Sequence, residues 1–235
     1  FVSIIGRPNV GKSTLINRLV GEKIAIISSK PQTTRNNILG ILTDEDKQIV
    51  FTDTPGIHEP TSMLAEMMVK SANNALVDTD AILLLVEPIA NVGRTEGKII
   101  ERLKKQKTPV ILVINKIDTV KKDALLSVIA AYTSVFEFAA VVPISARKAD
   151  GVDTVKAEIE KFIKPGPQYF PDDMVTDQPQ RQIAAEIIRE KLLRSLNKEV
   201  PHGIAIEIFS FEESASKLAI EANIYCEKQS HKGII

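Results

Sequence analysis

The 235-residue sequence predicts an α/β protein, in which a doubly wound, mostly parallel sheet is followed by a smaller, incomplete α+β domain. Three observations predict this fold. Near-continuous apolar runs recur at 82–86, 110–114 and 141–144, as in parallel strands that helices cover on both faces. Segments of helical length separate these runs. The sequence Pro165-Gly166-Pro167 then interrupts the alternation and predicts a domain boundary.

The first 165 residues are predicted to alternate strands with helices. Candidate strands lie at 1–5, 38–42, 48–52, 81–86, 110–114 and 139–144, and candidate helices lie at 13–20, 63–77, 95–107, 125–132 and 152–162. The polar turn between the second and third strands predicts an antiparallel hairpin at one edge of the sheet. Ligands of such sheets bind beyond the carboxyl ends of the strands, so we expect a site in the segments that follow them.

Beyond the boundary the sequence predicts one helix and two antiparallel, half-buried strands, at 181–196, 204–208 and 218–224. About 60 residues make a marginal domain, and the chain begins inside a predicted strand, so we expect the natural protein to extend beyond both ends. The predicted partition is a first domain (1–165), a linker (166–180) and a partial second domain (181–235). One face of the helix is predicted to be apolar, through Ile183, Ala184, Ile187, Ile188, Leu192 and Leu196.

Composition excludes several classes of protein. The chain has 30 basic and 30 acidic residues and a net charge of zero, so it lacks the electrostatic footprint of a nucleic-acid-binding protein. Its one cysteine, Cys226, excludes an internal disulfide framework and fits a reducing cytoplasm, most simply as a buried small hydrophobe. Neither a signal peptide nor an apolar run long enough to span a membrane is present in the sequence.

The segment between the first strand and first helix matches the phosphate-binding pattern G-x-x-x-x-G-K-[ST]. Its glycines let backbone N–H groups point at a polyphosphate, and the helix N-terminus adds its dipole. Lys12 is expected to reach the β- and γ-phosphates, and the Ser13 hydroxyl to bind Mg²⁺. The predicted nucleotide-binding residues here are Gly6, Arg7, Pro8, Asn9, Val10, Gly11, Lys12, Ser13 and Thr14.

A second motif, Asp53-Thr54-Pro55-Gly56, follows the strand at 48–52. An acidic residue at the end of that strand is suited to hold Mg²⁺ through water. The Gly56 N–H can contact a γ-phosphate, which only a triphosphate carries. We therefore include Asp53, Thr54, Pro55, Gly56 and the following Ile57 in the predicted nucleotide site.

The third motif, Asn115-Lys116-Ile117-Asp118, follows the strand at 110–114 and selects the base. A carboxylate accepts from both N1–H and N2–H₂ of guanine, whereas adenine offers no such pair of donors and would leave a buried Asp118 unpaired. Asn115 is expected to tie this loop to the phosphate loop, and the Lys116 stem to lie along the purine. Ser145 and Ala146, after the next strand, are expected to supply backbone N–H to guanine O6.

A polar segment between the first two motifs is a candidate switch that becomes ordered over bound triphosphate. It includes Gln32, Thr33, Thr34, Arg35 and Asn36. A threonine hydroxyl can join Ser13 on Mg²⁺, and we choose Thr34 over Thr33. The predicted metal ligands are thus Ser13, Thr34 and Asp53, and the predicted catalytic set is Lys12, Ser13, Thr34, Asp53 and Gly56.

The motifs G-R-P-N-V-G-K-S, P-Q-T-T-R, D-T-P-G, N-K-I-D and I-S-A resemble those of translation-factor-related GTPases. P-Q-T-T-R followed by D-T-P-G-I-H most resembles the Era family, and the likeness continues through 169–191, so it spans essentially the whole chain. It implies a GTPase domain at 1–165 that binds GTP and GDP, and part of a KH domain at 181–235. It also implies binding of small-subunit ribosomal RNA and a role in maturation of the small ribosomal subunit.

The sequence departs from the pattern of that family in its C-terminal part. KH domains clamp RNA with a G-x-x-G loop, and no such sequence occurs after residue 171. We expect a cytoplasmic monomer that associates peripherally with the inner face of the cell membrane.

The resemblance also bears on catalysis. Ras-like proteins orient the attacking water with a Gln, whereas Ile57 occupies this position, as a hydrophobic residue does in Era-like GTPases, so slow intrinsic turnover is expected. In related GTPases an Asn at the position of Asn9 binds K⁺, which makes Asn9 a candidate potassium ligand.

Two other interpretations remain beside this one. A GTP-controlled protein- or membrane-surface-binding module without an RNA role is favoured by the acidic balance of residues 172–235, which carry 8 basic and 11 acidic residues. A tRNA-modification or double-GTPase relative would share the nucleotide motifs, but the C-terminal segment does not support it and no second phosphate loop occurs in the sequence.

Overall fold

A computed structural model describes residues 1–28, 33, 37–53, 79–196, 204–214 and 217–235. It contains a six-stranded sheet with strands β1 (Val2–Gly6), β2 (Ile38–Asp44), β3 (Lys47–Asp53), β4 (Ala81–Val86), β5 (Val110–Ile114) and β6 (Ala140–Pro143). The strand order is β2-β3-β1-β4-β5-β6. Only the β2–β3 pair is antiparallel among these strands, and it lies at one edge. The predicted doubly wound, mostly parallel sheet is therefore confirmed.

The apolar runs are buried because both faces of the sheet are covered. In β1, β4 and β5 every residue is buried, and side chains alternate between the two faces. Ile4, Leu83 and Val113 belong to the core on one face, whereas Ile5, Leu84 and Leu112 belong to the core on the other. Each strand thus contributes to two apolar layers, and its carboxyl end is left to carry polar side chains.

Four helices in the described part of the first domain complete these layers. α1 (Lys12–Val20) and α4 (Val152–Glu160) contribute to one core, and α2 (Arg94–Leu103) and α3 (Lys122–Thr133) to the other. The helix predicted over 95–107 ends earlier, at Leu103, and the strand predicted over 139–144 is shorter. The helix predicted at 63–77 lies outside the described residues.

The second part contains α5 (Gln180–Ser195) and an antiparallel hairpin of β7 (Ile204–Ser214) and β8 (Lys217–Cys226). Leu192 and Leu196 pack with Ile204 and Ile206. The prediction that both strands are half-buried is correct only for β7, because most of β8 is exposed. Cys226 is half-buried, so its expected burial is only partly met.

The buried face of α5 differs from the predicted apolar face. Its buried residues are Arg189, Glu190 and Leu193, whereas Ile187 is exposed. The difference arises because one side of α5 lies against the first domain, where the two buried charged side chains contact described residues between α1 and β2. The helix therefore uses polar contacts toward the first domain and apolar ones toward the hairpin.

The predicted linker contacts both strands of the antiparallel pair at the edge of the sheet, β2 and β3. The N–H of Ile41 donates to the carbonyl of Val175 at 2.9 Å, and Gly40 forms an antiparallel bridge with Thr176. The Gln48 side chain accepts from the N–H groups of Tyr169 and Phe170 at 3.0 Å each. These contacts fix the start of α5 relative to the sheet. Within the described ranges, no helix combines the length and apolar character that a membrane span requires.

Candidate nucleotide site

Two glycines in the loop from β1 to α1 have backbone conformations that exclude a side chain. Gly6 has φ +152°, and a Cβ there would lie 2.4 Å from the Leu85 carbonyl oxygen. Gly11 has φ +103°, and its Cβ would lie 2.2 Å from Nδ2 of Asn115. Both positions require glycine, so the loop can bring its backbone close to β4 and to the segment after β5.

Lys12 lies in the concavity of this loop and is only 6% exposed. Its Nζ donates to the carbonyl of Gly6 at 3.2 Å and to that of Arg7 at 2.9 Å. Burial lowers its pKa to about 8, although the charge of Asp53 opposes this shift. Negative phosphate oxygens would favour the ammonium form, so this cation is suited to bind a polyphosphate.

The hydroxyl of Ser13 donates a 2.7 Å hydrogen bond to Oδ2 of Asp53, a fully buried carboxylate. A hydroxyl and a carboxylate are hard oxygen donors of the kind that Mg²⁺ takes in nucleotide sites, where substrate phosphates and water complete its octahedral coordination. The two residues therefore fit the predicted magnesium site, and they would hold the ion beside Lys12. A bound Mg²⁺ would neutralise charge on the β- and γ-phosphate oxygens.

Asn115 joins three loops from a position after β5. Its Nδ2 donates to the Val10 carbonyl at 2.8 Å, and its Oδ1 accepts from the N–H of Ala146 at 3.0 Å. Its own backbone N–H donates to the Val86 carbonyl at 2.9 Å. The side chain is buried, with the residue 3% exposed. It joins the segment after β5 to the phosphate loop, as the sequence predicts, and also to the segment after β6, which the sequence did not predict.

Lys116 adds a second link between the same loops. Its left-handed backbone, with φ +65°, directs the chain into a short 3₁₀ turn at Ile117–Thr119. The Nζ donates to the carbonyl of Asn9 at 2.8 Å and pairs with Glu87. Asn9 is itself left-handed, with φ +63°. The Lys116 stem therefore extends from the base-binding segment to the phosphate loop.

Asp118 is oriented by Ser145, whose hydroxyl donates to its Oδ1 at 2.8 Å. This hydrogen bond lowers the pKa of Asp118, so the carboxylate is ionised at neutral pH and can accept from two base N–H donors. The expectation that Asp118 is buried is not met, because the residue is exposed and lines the cavity. Its discrimination between bases therefore depends on the base covering it.

The backbone groups of Ser145 and Ala146 already have partners within the protein. The Ser145 N–H donates to the carbonyl of Asp150 at 2.9 Å, and that of Ala146 donates to Asn115. Their predicted contact with guanine O6 stays a prediction. In this structure Ser145 acts through its hydroxyl on Asp118, a role that the sequence does not reveal.

A network of charges beside the loop is likewise absent from the sequence prediction. Arg7 pairs with the buried Glu96 and, at 3.2 Å, with Glu87, and Glu87 pairs with Lys116. Glu87 thus bridges the phosphate loop and the base-binding segment. Its position directly after β4 was the available signal, because β4 lies next to β1 at the end of the sheet where ligands bind.

Residues of the phosphate loop and of the segments after β5 and β6 line one cavity of about 850 Å³, which is within the range of small-molecule sites. The predicted residues Thr34, Thr54, Pro55, Gly56 and Ile57 lie outside the described part of the chain, as do Gln32, Arg35 and Asn36. Thr33 is described and lines the cavity. The lining also includes Lys12, Ser13, Asn115, Asp118 and Ser145.

Comparison with known proteins agrees with this geometry. Residues 1–116 match the family model described as 50S ribosome-binding GTPase. The GTPase Era of Ruminiclostridium cellulolyticum is 52% identical over all of this chain, which covers 79% of that protein. The GTPase Era of Clostridium acetobutylicum is 53% identical with the same coverages.

Two solved structures have the same fold over nearly the whole chain. One is Era in complex with MgGDPNP and nucleotides 1506–1542 of 16S ribosomal RNA, and the other is a single-residue variant of Aquifex aeolicus Era bound to GDP and AlF₄⁻. Each has a TM-score of 0.93 and 38% identity, over 99% of this chain and 80% of the other. With relatives named GTPase Era that are more than 50% identical along its whole length, the chain belongs to the Era family of GTPases.

Proposed function

We propose that this protein is a GTP-hydrolysing switch that acts in maturation of the small ribosomal subunit by binding its ribosomal RNA. One observation carries the proposal. The likeness to Era bound to MgGDPNP and 16S ribosomal RNA extends over 99% of this chain, and therefore includes the α5–hairpin part as well as the nucleotide domain. We retain the partition into a GTPase domain (1–165), a linker (166–180) and a partial KH-like domain (181–235).

Catalysis is proposed to rest on electrostatic positioning of the triphosphate. Lys12 binds the β- and γ-phosphates, and Ser13 and Asp53 hold Mg²⁺, for which the MgGDPNP of the related structure is further support. Thr34 and Gly56 complete the site in the triphosphate state. The segment with Gln32, Thr33, Thr34, Arg35 and Asn36 then responds to the γ-phosphate.

Ile57 is proposed to make intrinsic turnover slow, because its side chain cannot orient an attacking water by hydrogen bonding. Single-turnover hydrolysis of GTP by the purified protein tests this. A rate well below that of activator-stimulated GTPases, which reach about 5–20 s⁻¹, is expected. A rate in that range without any partner would contradict it.

Asn9 is proposed to bind K⁺ beside the phosphates and so to add positive charge near the transferred group. Its left-handed backbone and the Lys116 contact to its carbonyl fix the position of this residue. Hydrolysis in K⁺ should then exceed hydrolysis in Na⁺ at equal ionic strength. Equal rates, or an unchanged ratio in Asn9→Ala, would exclude the site.

The RNA proposal is tested with the natural full-length protein and an RNA that corresponds to nucleotides 1506–1542 of 16S ribosomal RNA. We expect tighter binding with a non-hydrolysable GTP analogue than with GDP. An RNA of the same length and scrambled sequence is the control. Binding that is absent, or equal for both nucleotides and both RNAs, would reject a GTP-switched RNA function.

The second candidate is a GTP-controlled module that binds a protein or the inner face of the cell membrane. The balanced net charge of the chain and its acidic segment 172–235 favour this candidate. Flotation with vesicles of neutral or anionic lipid distinguishes membrane binding from the RNA-binding function. Only a membrane-binding protein should float with the vesicles when GTP is present and RNA is absent. We further propose a cytoplasmic monomer, which sedimentation of the protein with GDP and with GTP tests.

A further inference from the structure

Two neighbouring charged residues of α5 are buried against the first domain. Arg189 is 3% exposed and Glu190 is fully buried. Charged side chains are almost never buried to this extent unless they are paired. Their partners lie in the segment between α1 and β2, which leads to the predicted switch.

Glu190 is held by groups from both domains. Its Oε1 accepts from the backbone N–H of Ile27 at 3.1 Å and from Arg194 at 2.7 Å, and its Oε2 pairs with Lys23. Burial would raise the pKa of Glu190, but the hydrogen bonds from Lys23 and Ile27 and the charge of Arg194 outweigh it and lower the pKa. The carboxylate is therefore ionised at neutral pH.

The adjoining groups extend this contact along the segment. Arg194 also donates to the carbonyl of Ile27 at 3.2 Å, so α5 binds both backbone groups of that residue. Arg189 donates to the carbonyl of Thr33 and is oriented by Glu186, which accepts from its Nε at 2.9 Å. Side chains from one face of α5 thus hold the segment at Ile27 and again at Thr33.

The held segment is also a wall of the nucleotide cavity. Lys23, Ile27 and Thr33 line the same space as Lys12 and Asp118. The contacts from α5 therefore join the second domain directly to the site, without a chain of intermediate residues. Movement of α5 away from the first domain would remove the support of this wall.

We infer that Glu190 and Arg189 are positioning residues, through which docking of α5 sets the rate of guanine-nucleotide release. The inference rests on the proposed function, and it names the residues that carry its regulation. Coupling between two sites is reciprocal. If α5 must be docked for the wall to retain the nucleotide, the bound nucleotide therefore also favours the docked position of α5. A partner that draws α5 away from the first domain would accelerate release of GDP.

The test measures dissociation of a fluorescent GDP from the 235-residue chain with Mg²⁺, well below the unfolding temperature. Glu190→Gln removes the charge and keeps the side-chain shape, and we expect release to become roughly tenfold faster, within the usual range of coupling between sites. Glu221→Gln, at an exposed position on β8, is the matched control and should release GDP at the wild-type rate. A folded Glu190→Gln variant with wild-type release would overturn the inference.

Loss of the buried Glu190 carboxylate can also impair folding. Substitution of its two exposed partners therefore provides a second measurement of GDP release. Lys23 and Arg194 have side chains that are 47% and 53% exposed, and Lys23→Met and Arg194→Met should each accelerate release. The double variant Lys23→Met with Glu190→Gln should release GDP little faster than Glu190→Gln alone, because both changes remove the same ion pair. Wild-type rates in both single variants would overturn the inference, whereas a wild-type protein that binds no guanine nucleotide would reject the proposed function itself.

Discussion

The side-chain amide of Asn115 donates to the Val10 carbonyl at 2.8 Å, between residues 105 positions apart in the sequence. Gly11 makes this approach possible, because any Cβ at that position would overlap the same amide nitrogen. A buried hydrogen bond therefore joins the phosphate loop directly to the segment proposed to select the base. Preorganisation of this kind reduces the cost of ordering groups on binding.

Substitution of Asn115 tests this unit. Asn115→Ala leaves the buried Val10 carbonyl and Ala146 N–H without their partner, at a cost of about 1–3 kcal/mol for each group. We expect GDP affinity to fall at least tenfold and the unfolding temperature to drop. Asn115→Asp keeps an acceptor for Ala146 but places a carboxylate against the Val10 carbonyl, and it should bind GDP no better. Wild-type affinity in Asn115→Ala, measured by titration calorimetry, would contradict the assignment.

The pKa of Lys12 predicts a pH-dependent proton uptake. Burial lowers the pKa of Lys12 to about 8, and bound phosphates should raise it again. Nucleotide binding near pH 9 should therefore take up close to one proton at Lys12, whereas binding at pH 7 should take up almost none there. Calorimetry in two buffers with different ionisation enthalpies measures the uptake.

Lys12→Arg is the control for that experiment, because a guanidinium stays protonated throughout this range. The protonation changes of the nucleotide itself are common to both proteins and cancel in the comparison. Equal uptake by the wild-type protein and by Lys12→Arg at pH 9 would show that Lys12 does not titrate as stated.

Glu87 is expected to act on nucleotide affinity more than on stability. It is partly exposed and pairs with Arg7 and Lys116. Glu87→Gln should therefore weaken the free energy of GDP binding by about 1 kcal/mol or less. That corresponds to about a fivefold loss of GDP affinity, and the loss should diminish in 1 M salt as charges are screened. Glu101→Gln, which removes an exposed pair with Lys104 in α2, is the matched control. A loss that is independent of salt would exclude an ionic role.

The sequence predicts the sheet accurately where its apolar runs are continuous. The strands at 81–86 and 110–114 have the predicted bounds, because burial on both faces leaves an unmistakable pattern. The polar residues after these strands could be placed as well, since the carboxyl ends of parallel strands converge. For this reason Asn115, Lys116 and Asp118 could be assigned from the sequence to the end of the sheet where the cavity lies.

Contacts between distant charged residues could not be predicted in the same way. Arg189 and Glu190 look like the solvated face of an amphipathic helix, and their burial depends on how α5 docks on the segment at 23–33. Glu87 and Glu96 likewise look solvated in the sequence, although Glu96 is buried beside Arg7. Local periodicity carries no information on which domain will cover a face.

We propose that Asp118 selects guanine, and a measurement of nucleotide specificity tests this role. Asn at this position would present one acceptor and one donor, which match the N1–H and the C2 carbonyl of xanthine but not the two donors of guanine. Dissociation constants for GTP, ATP and XTP should be measured with Mg²⁺ for the wild-type protein and for Asp118→Asn. We predict that the wild-type protein prefers GTP over ATP by about 10⁴-fold or more, and that Asp118→Asn prefers XTP over GTP. Comparable binding of ATP and GTP by the wild-type protein, or an undiminished preference for GTP in Asp118→Asn, would contradict the account.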